Sequence, residues 1–284
     1  MTKDYPRKES VIPALRLFAV VSASLLLLAK ADGSGAEGPQ TPQITETTTY
    51  AVKLGDDGTC LTEINGARKK AGFNDFVIPQ EGKDKRLPEE GERDSGNYAE
   101  WVWKPVCAAL IKEEAGEGKS DTASETFGSG TYAYHVVDDT SAPNCAGVVD
   151  QWKKAYSNFS AMPPSRKDDN TVYSNQDNVS LVAMYNPSDD ATADCRIVTC
   201  TKTTKTSTAA PGKQGGQEVE AETKEGSALI CMTTPDVLSE KSESAPFTEE
   251  QWGRIVNAIE NSASALLPGF LGLAAVALGF VATM

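Results

Sequence analysis

The stretch VSLVAMYNPSDDATADCRIVTC, residues 179–200, followed later by ALICMTTPD, residues 228–236, decides how this chain is read. Short apolar runs bounded by turn-forming residues predict strands over Val179–Tyr185, Cys195–Cys200 and Ala228–Thr233. Between the last two lies Thr201–Gly226, rich in Thr, Lys, Gly and Glu and almost free of large apolar side chains. It predicts a long, exposed, mobile hairpin loop.

Working outward, Thr131–Val137 alternates and predicts a further strand with Tyr132, Tyr134 and Val136 on one face. Apolar spacing also predicts helices. Thr59–Ala71 carries Leu61, Ile64, Arg68 and Ala71 on one stripe, with Gly72 at its stop. Asn97–Glu113 contains Pro105, which kinks or splits it. Asn144–Asn158 turns Val148, Val149, Trp152 and Tyr156 inward, and Glu249–Asn261 opens on a capping box of Thr248 and Gln251. Trp101 and Trp103 cannot share a helix face, so one of them is expected at the surface and open to a partner. Helices alternating with strands need a sheet to bury against, which makes the fold class α+β. Residues 56–261 read as one domain behind a disordered lead-in over residues 32–55.

A hydrophobic segment stands at either end. Residues 1–31 combine a basic flank, the apolar run Leu17–Leu28 and the small-x-small triplet Ala29-Lys30-Ala31. These are the parts of a secretory signal peptide cut between Ala31 and Asp32. The other reading is an uncleaved anchor, for which the run is short, since a span takes about 20 residues. Leu266–Met284 is either a transmembrane anchor or the signal for a glycosylphosphatidylinositol (GPI) lipid. No Lys or Arg follows it to hold a spanning helix, and small residues precede it. Residues 262–284 are therefore expected to be removed, with the lipid attached at Asn261 or Ser262.

The chain carries 27 basic and 40 acidic residues. Residues 1–31 hold five basic and two acidic ones and none follow Asn261, so the body between has 22 against 38, a formal −16. This balance argues against nucleic acid as a partner and against adsorption of the protein itself to anionic lipid. All six cysteines, at 60, 107, 145, 195, 200 and 231, lie in that body. An even number in a secreted chain predicts three disulfides, of unspecified pairing. There is no CxxC pair and His135 is the only histidine, so no zinc site is expected.

No catalytic residue emerges. A Ser-His-Asp enzyme needs one histidine, but no G-x-S-x-G elbow is present and His135 reads as structural. The paired aspartates at 56–57, 138–139, 168–169 and 189–190 read as turn residues rather than acid–base pairs. Ser188–Asp194 offers oxygen ligands but lacks the glycine and terminal glutamate of a calcium loop, so no metal or cofactor is expected. Asn158-Phe159-Ser160 and Asn178-Val179-Ser180 match the N-glycosylation pattern.

Three segments together resemble the CAP superfamily of cysteine-rich secretory and pathogenesis-related proteins: LTEINGARKKAGFNDF (61–76), CAGVVDQWKKAYSNF (145–159) and the opening stretch with its ALICMTTPD sequel. The resemblance implies a single three-layer α-β-α sandwich. With the two ends and six cysteines, the arrangement is similar to the GPI-anchored surface antigens of Eimeria parasites, over roughly Thr59–Glu260. It implies disulfides Cys107–Cys200 and Cys195–Cys231, leaving Cys60–Cys145. It also implies a non-enzymatic antigen on the extracellular face of the plasma membrane, engaging a host cell-surface receptor or host immunity. The alternative is a sterol or lipid carrier using a CAP-like cleft. The usual CAP histidines are missing: the second-helix region has none, and the matching strand reads Gln176-Asp177-Asn178-Val179-Ser180, so that family's metal chemistry does not carry over.

Overall fold

The computed structural model describes residues 43–80, 82–111, 130–209, 218–240 and 242–264. Its elements are β1 (Gln43–Leu54), α1 (Leu61–Lys70), β2 (Gly91–Asp94), α2 (Lys104–Ile111), β3 (Thr131–Val136), α3 (Cys145–Lys154), α4 (Gln176–Met184), β4 (Thr192–Ala209), β5 (Glu218–Thr234) and α5 (Glu249–Ser264). The strands form one antiparallel sheet in the order β2-β1-β4-β5-β3.

The sheet buries both faces, and strand alternation sorts the side chains between them. Ala193, Cys195 and Ile197 of β4, with Leu229 and Cys231 of β5, face a core built from α1, α3, α4 and α5. Val198 and Cys200, with Ala228, Ile230 and Met232, face a second core shared with Tyr50, Trp103 and α2.

This overturns the expected three-layer CAP-like α-β-α sandwich. The molecule is a sheet-dominated antiparallel fold with a few helices, and among the described residues the second face carries one α-helix of eight residues rather than a helical layer. Three local readings explain the difference. Val179–Tyr185 is not a strand but most of α4, buried from Asn178 through Met184. A continuous apolar run is ambiguous between a strand and a fully buried helix; here Asn175 caps it, its side chain accepting from the Asp177 amide at 3.0 Å. The lead-in is ordered from Gln43 as the 12-residue strand β1. The expected loop Thr201–Gly226 is largely strand too, since β4 runs to Ala209 and β5 starts at Glu218. Residues 210–217 at its centre lie outside the described residues.

Most other elements sit close to their expected bounds, but the helix expected from Asn97 begins only at Lys104. Pro105 falls in the first turn of α2, where its missing N–H costs nothing; a short 3-10 turn at Tyr98–Glu100 precedes it. Trp101 and Trp103 are both buried, which removes the expected surface tryptophan. The indole of Trp103 donates to the Glu89 carbonyl at 3.0 Å. The capping box forms: the Thr248 amide donates to Gln251 Oε1 at 2.9 Å and the Gln251 amide to Thr248 Oγ1 at 3.2 Å. Gly72, at φ +76°, ends α1 in the left-handed region where a side chain is disfavoured.

Arg68 is fully buried and ties α1 to the approach to β4. Its Nη1 donates to the carbonyls of Met184 and Asn186 at 3.0 and 2.9 Å, its Nε to Asn74 at 2.8 Å, and its guanidinium lies 3.6 Å from the Phe76 ring centroid. Burial lowers its pKa to about 10, partly offset by Asp75, so it stays charged at neutral pH.

Candidate recognition surface

An uncovered ribbon grows out of the centre of the sheet. Up to Cys200 and back from Gly226, β4 and β5 lie between the two cores. Gly226 marks the border. The end of α2 presses on it so closely that a Cβ there would stand 2.4 Å from the Leu110 carbonyl oxygen. Beyond that point the ladder continues from Thr201↔Glu225 to Thr208↔Glu218, with β1 alongside from Thr49↔Thr203 to Gln43↔Ala209. No described side chain among residues 44–49, 201–208 and 220–225 is buried. Nine β4 residues past Cys200 extend the ribbon about 30 Å at ~3.3 Å per residue.

Its chemistry is hydroxyl and charge. Thr47, Thr49, Thr201, Thr203 and Ser207 share one face; Thr48, Thr204 and Thr206 share the other with Glu46, Glu220 and Glu222. Thr48 and Thr204 sit Oγ to Oγ at 3.3 Å, and Thr201 donates to Glu225 at 3.4 Å. At the base, Lys202 lies over the Tyr50 ring at 5.4 Å, and that ring stacks on Tyr98 at 3.6 Å. Pairing with β3 covers only 228–233 of β5, and pairing with β2 only 49–52 of β1, so both outer strands of the arm present open edges among the described residues. Open edges can accept an extended partner segment. Glu220, Glu222, Lys224 and Glu225 guard the β5 edge against indiscriminate pairing.

The arm and the C-terminal helix lie at opposite ends of β4. Residues Lys69–Gly72 at the end of α1 share a cleft with Arg254, Asn257 and Asn261 of α5. The same end of α1 reaches the segment just before β4, through Arg68 to Asn186 and through Asn74 Nδ2 to the Asp189 carbonyl at 3.4 Å. Val77 then bridges to Thr192, the first residue of β4.

The sites read from sequence are placed as follows. Three disulfides join Cys60 to Cys145, Cys107 to Cys200 and Cys195 to Cys231, with Cα separations of 5.0, 5.3 and 4.0 Å. These are the pairs the resemblance implies. The first ties the start of α1 to α3, the second ties α2 to the sheet, and the third crosses between directly opposed residues of β4 and β5. Asn178 is buried at 3% exposure, accepting from Asn158 at 2.7 Å and donating to the Val172 carbonyl at 2.8 Å, so this fold has no room for a glycan there. Asn158 is exposed. Asn261 and Ser262 fall in the last turns of α5, which continues to Ser264. Ala31, Asp32 and both apolar end segments lie outside the described residues. Among the described residues no helix is long and apolar enough to cross a membrane.

Two of the acidic pairs are held in hydrogen-bonded turns. Asp139 accepts from the Ser141 hydroxyl at 2.7 Å and from the Ser141 and Ala142 amides; Asp169 accepts from the Thr171 hydroxyl and amide. Those bonds hold both carboxyls below the ordinary value. Asp194 is buried, accepting from the Leu87 amide and paired with Arg196 at 2.8 Å, which withdraws it from any calcium loop. His135 is half-buried in β3, opposite Leu229. Among the described residues no group of three or more His, Cys, Asp or Glu is placed to hold a metal. Surface clefts of about 530–580 Å³ among the described residues are lined mostly by charged and amide side chains. The sterol-carrier reading invoked a CAP-like cleft, which belongs to a fold this antiparallel sheet does not have.

Comparison with known proteins agrees with a surface role. A family model described as the sporozoite surface antigen (SAG) protein domain matches residues 56–274. The chain is 32% identical over 216 residues, 72% of its length and 75% of the other's, to the sporulated oocyst TA4 antigen of Eimeria tenella. No solved structure matches.

Proposed function

The chain belongs to the sporozoite surface antigen family, and from that premise we propose a non-enzymatic antigen that is tethered by its C-terminal end and presents the β4–β5 arm to host cells. The supporting observation is the opposition along β4. The helix leading to the apolar tail stands at one end and the uncovered arm at the other. A lipid at Asn261 or Ser262, following removal of residues 1–31 and of the chain beyond the attachment residue, would hold the disulfide-bonded body on the extracellular face with the arm outward. Individual contacts by a hydroxyl-rich, two-edged ribbon are weak; many copies on one membrane add through effective concentration.

The test uses the register. Cys200 and Gly226 are opposed, so residues 201–225 can be replaced by an Asn-Gly turn. Displayed on cells, the armless chain should lose attachment to host epithelial cells while keeping the three disulfides. Undiminished attachment would place recognition elsewhere. Release of the parent chain by phosphatidylinositol-specific phospholipase C tests the lipid; retention beside a released control protein counts against it.

A further inference from the structure

We propose that the uncovered edge of β1, residues 43–48, pairs antiparallel with the same edge of a second copy of this chain, about a two-fold axis at Thr45. Such pairing uses one edge of the arm and is independent of attachment to host cells and of the tether. The sheet protects its other edges. On the outer side of β3, the Tyr134 amide donates to Ser180 Oγ at 3.0 Å, and the Tyr132 and Tyr134 carbonyls accept from Gln176 and Trp152 at 2.8 and 3.0 Å. Glu92, Arg93 and Asp94 put charge along β2, as Glu220, Glu222, Lys224 and Glu225 do along the β5 side of the arm. From Ile44 to Thr48, β1 carries one charge, Glu46, beside three threonines and an isoleucine that is 69% exposed.

Backbone direction and register select a second copy as the occupant. Successive residues of a strand point their amide and carbonyl to opposite sides. The Thr48 carbonyl accepts from the Ser95 amide at 3.1 Å and the Leu54 amide donates to Glu90 at 3.1 Å, so the even-numbered residues of β1 face away from β4. Ile44 and Glu46 therefore hold outward amides and carbonyls with which no strand pairs among the described residues. They lie on either side of Thr45. A two-fold axis there sets Ile44 of each copy opposite Glu46 of the other, each pair exchanging both backbone hydrogen bonds, and brings the two Ile44 side chains into diagonal contact. Centring on Glu46 would oppose like charges. Centring on Ile44 would set Pro42, which has no N–H, opposite Glu46. The edge is thus complementary to itself in a single register. Antiparallel pairing also sends the two bodies off in opposite directions along the arm, and the new ladder stops where Ser95 occupies Thr48.

The experiment replaces single threonines by cysteine in the full chain, held in detergent, and reads disulfide-linked dimer on non-reducing gels, with the native disulfides mapped by mass spectrometry. Paired copies bring the two residues at position 45 to about 4.5 Å between Cα atoms, close enough to bridge. The two at position 47 lie about 13 Å apart along the strands. Thr45→Cys should therefore cross-link under mild oxidation and Thr47→Cys should not. Adding Glu46→Pro, which removes an outward amide and leaves the β4 side intact, should abolish the Thr45→Cys dimer. Salt should increase it, because the two acidic bodies repel. In the parent chain, the amides of Ile44 and Glu46 should exchange more slowly as concentration rises, with those of Thr45 and Thr47 unchanged. Cross-linking of both cysteine variants, or of neither, overturns the inference, as does exchange at Ile44 and Glu46 that ignores concentration. A dimer that survives Glu46→Pro or weakens with salt shows a contact other than strand pairing and overturns it too.

Discussion

The two halves of the β4–β5 hairpin share one ladder and almost nothing else. In the covered half, Cys195, Ile197, Leu229 and Cys231 fill one core while Val198, Cys200, Ile230 and Met232 fill the other. In the uncovered half the same antiparallel pairing carries threonines and charges on both faces. Backbone hydrogen bonds each contribute only about 0.5–1.5 kcal/mol net. A strand that is polar on both faces also specifies its register weakly. The arm thus takes its register from the covered half. Cys195 and Cys200 are an odd number of residues apart on one strand, so they face opposite ways and pin β4 to β5 on one side and to α2 on the other.

The largest effect that separates the halves is a core truncation. Leu229, with no exposed surface, should cost about 2–5 kcal/mol on change to Ala. Thr206→Ala, in the arm, should stay within about 0.5 kcal/mol. Denaturant melts of the disulfide-intact protein measure both; comparable losses would mean that the arm shares the core's cooperativity.

The same contrast explains what could be read from the residues. Alternation identified Thr131–Val136 as a strand, although both its faces are buried from Thr131 to Ala133 and Val136 is exposed, and α5 was legible from its capping box and apolar spacing. Both tests fail where no apolar residue marks a face. The arm and β1 looked like loop and lead-in because TKTTKTST and TETTTY carry no pattern of burial. Their signal was composition: β-branched threonine favours extended backbone, and the two runs pair with each other from Thr45↔Ser207 to Thr49↔Thr203. Val179–Tyr185 failed the opposite way, being apolar throughout. The basic cleft joins residues nearly two hundred positions apart, a proximity that no local pattern encodes.

The border between the halves can be moved with one methyl group. In Gly226→Ala the new Cβ would meet Leu110 backbone oxygen and carbon at 2.4 and 2.8 Å, so α2 or β5 must shift. Overpacking of this kind costs about 1–3 kcal/mol. Hydrogen exchange should show faster opening of Ile230 and Val198 amides beside the displaced helix. A stability unchanged from the parent would show that α2 does not define where the covered half stops.

The smallest effect concerns acid, and it belongs to the turns of the body. Asp139 and Asp169 have folded pKa values below the ordinary 3.8 because hydroxyl and amide donors stabilise their charged forms. A depressed carboxyl stabilises the fold fully above that ordinary value and loses the contribution as pH falls through the lower folded one. Stability should therefore decline as pH drops below about 3.8, where the unfolded chain binds the extra protons. Asp169→Asn keeps an acceptor oxygen for Thr171 but cannot titrate, so its melting curve should lie slightly below the parent's near neutrality and converge with it in acid. Parallel offsets at every pH would show that the Thr171 bonds do not depend on the charge of Asp169.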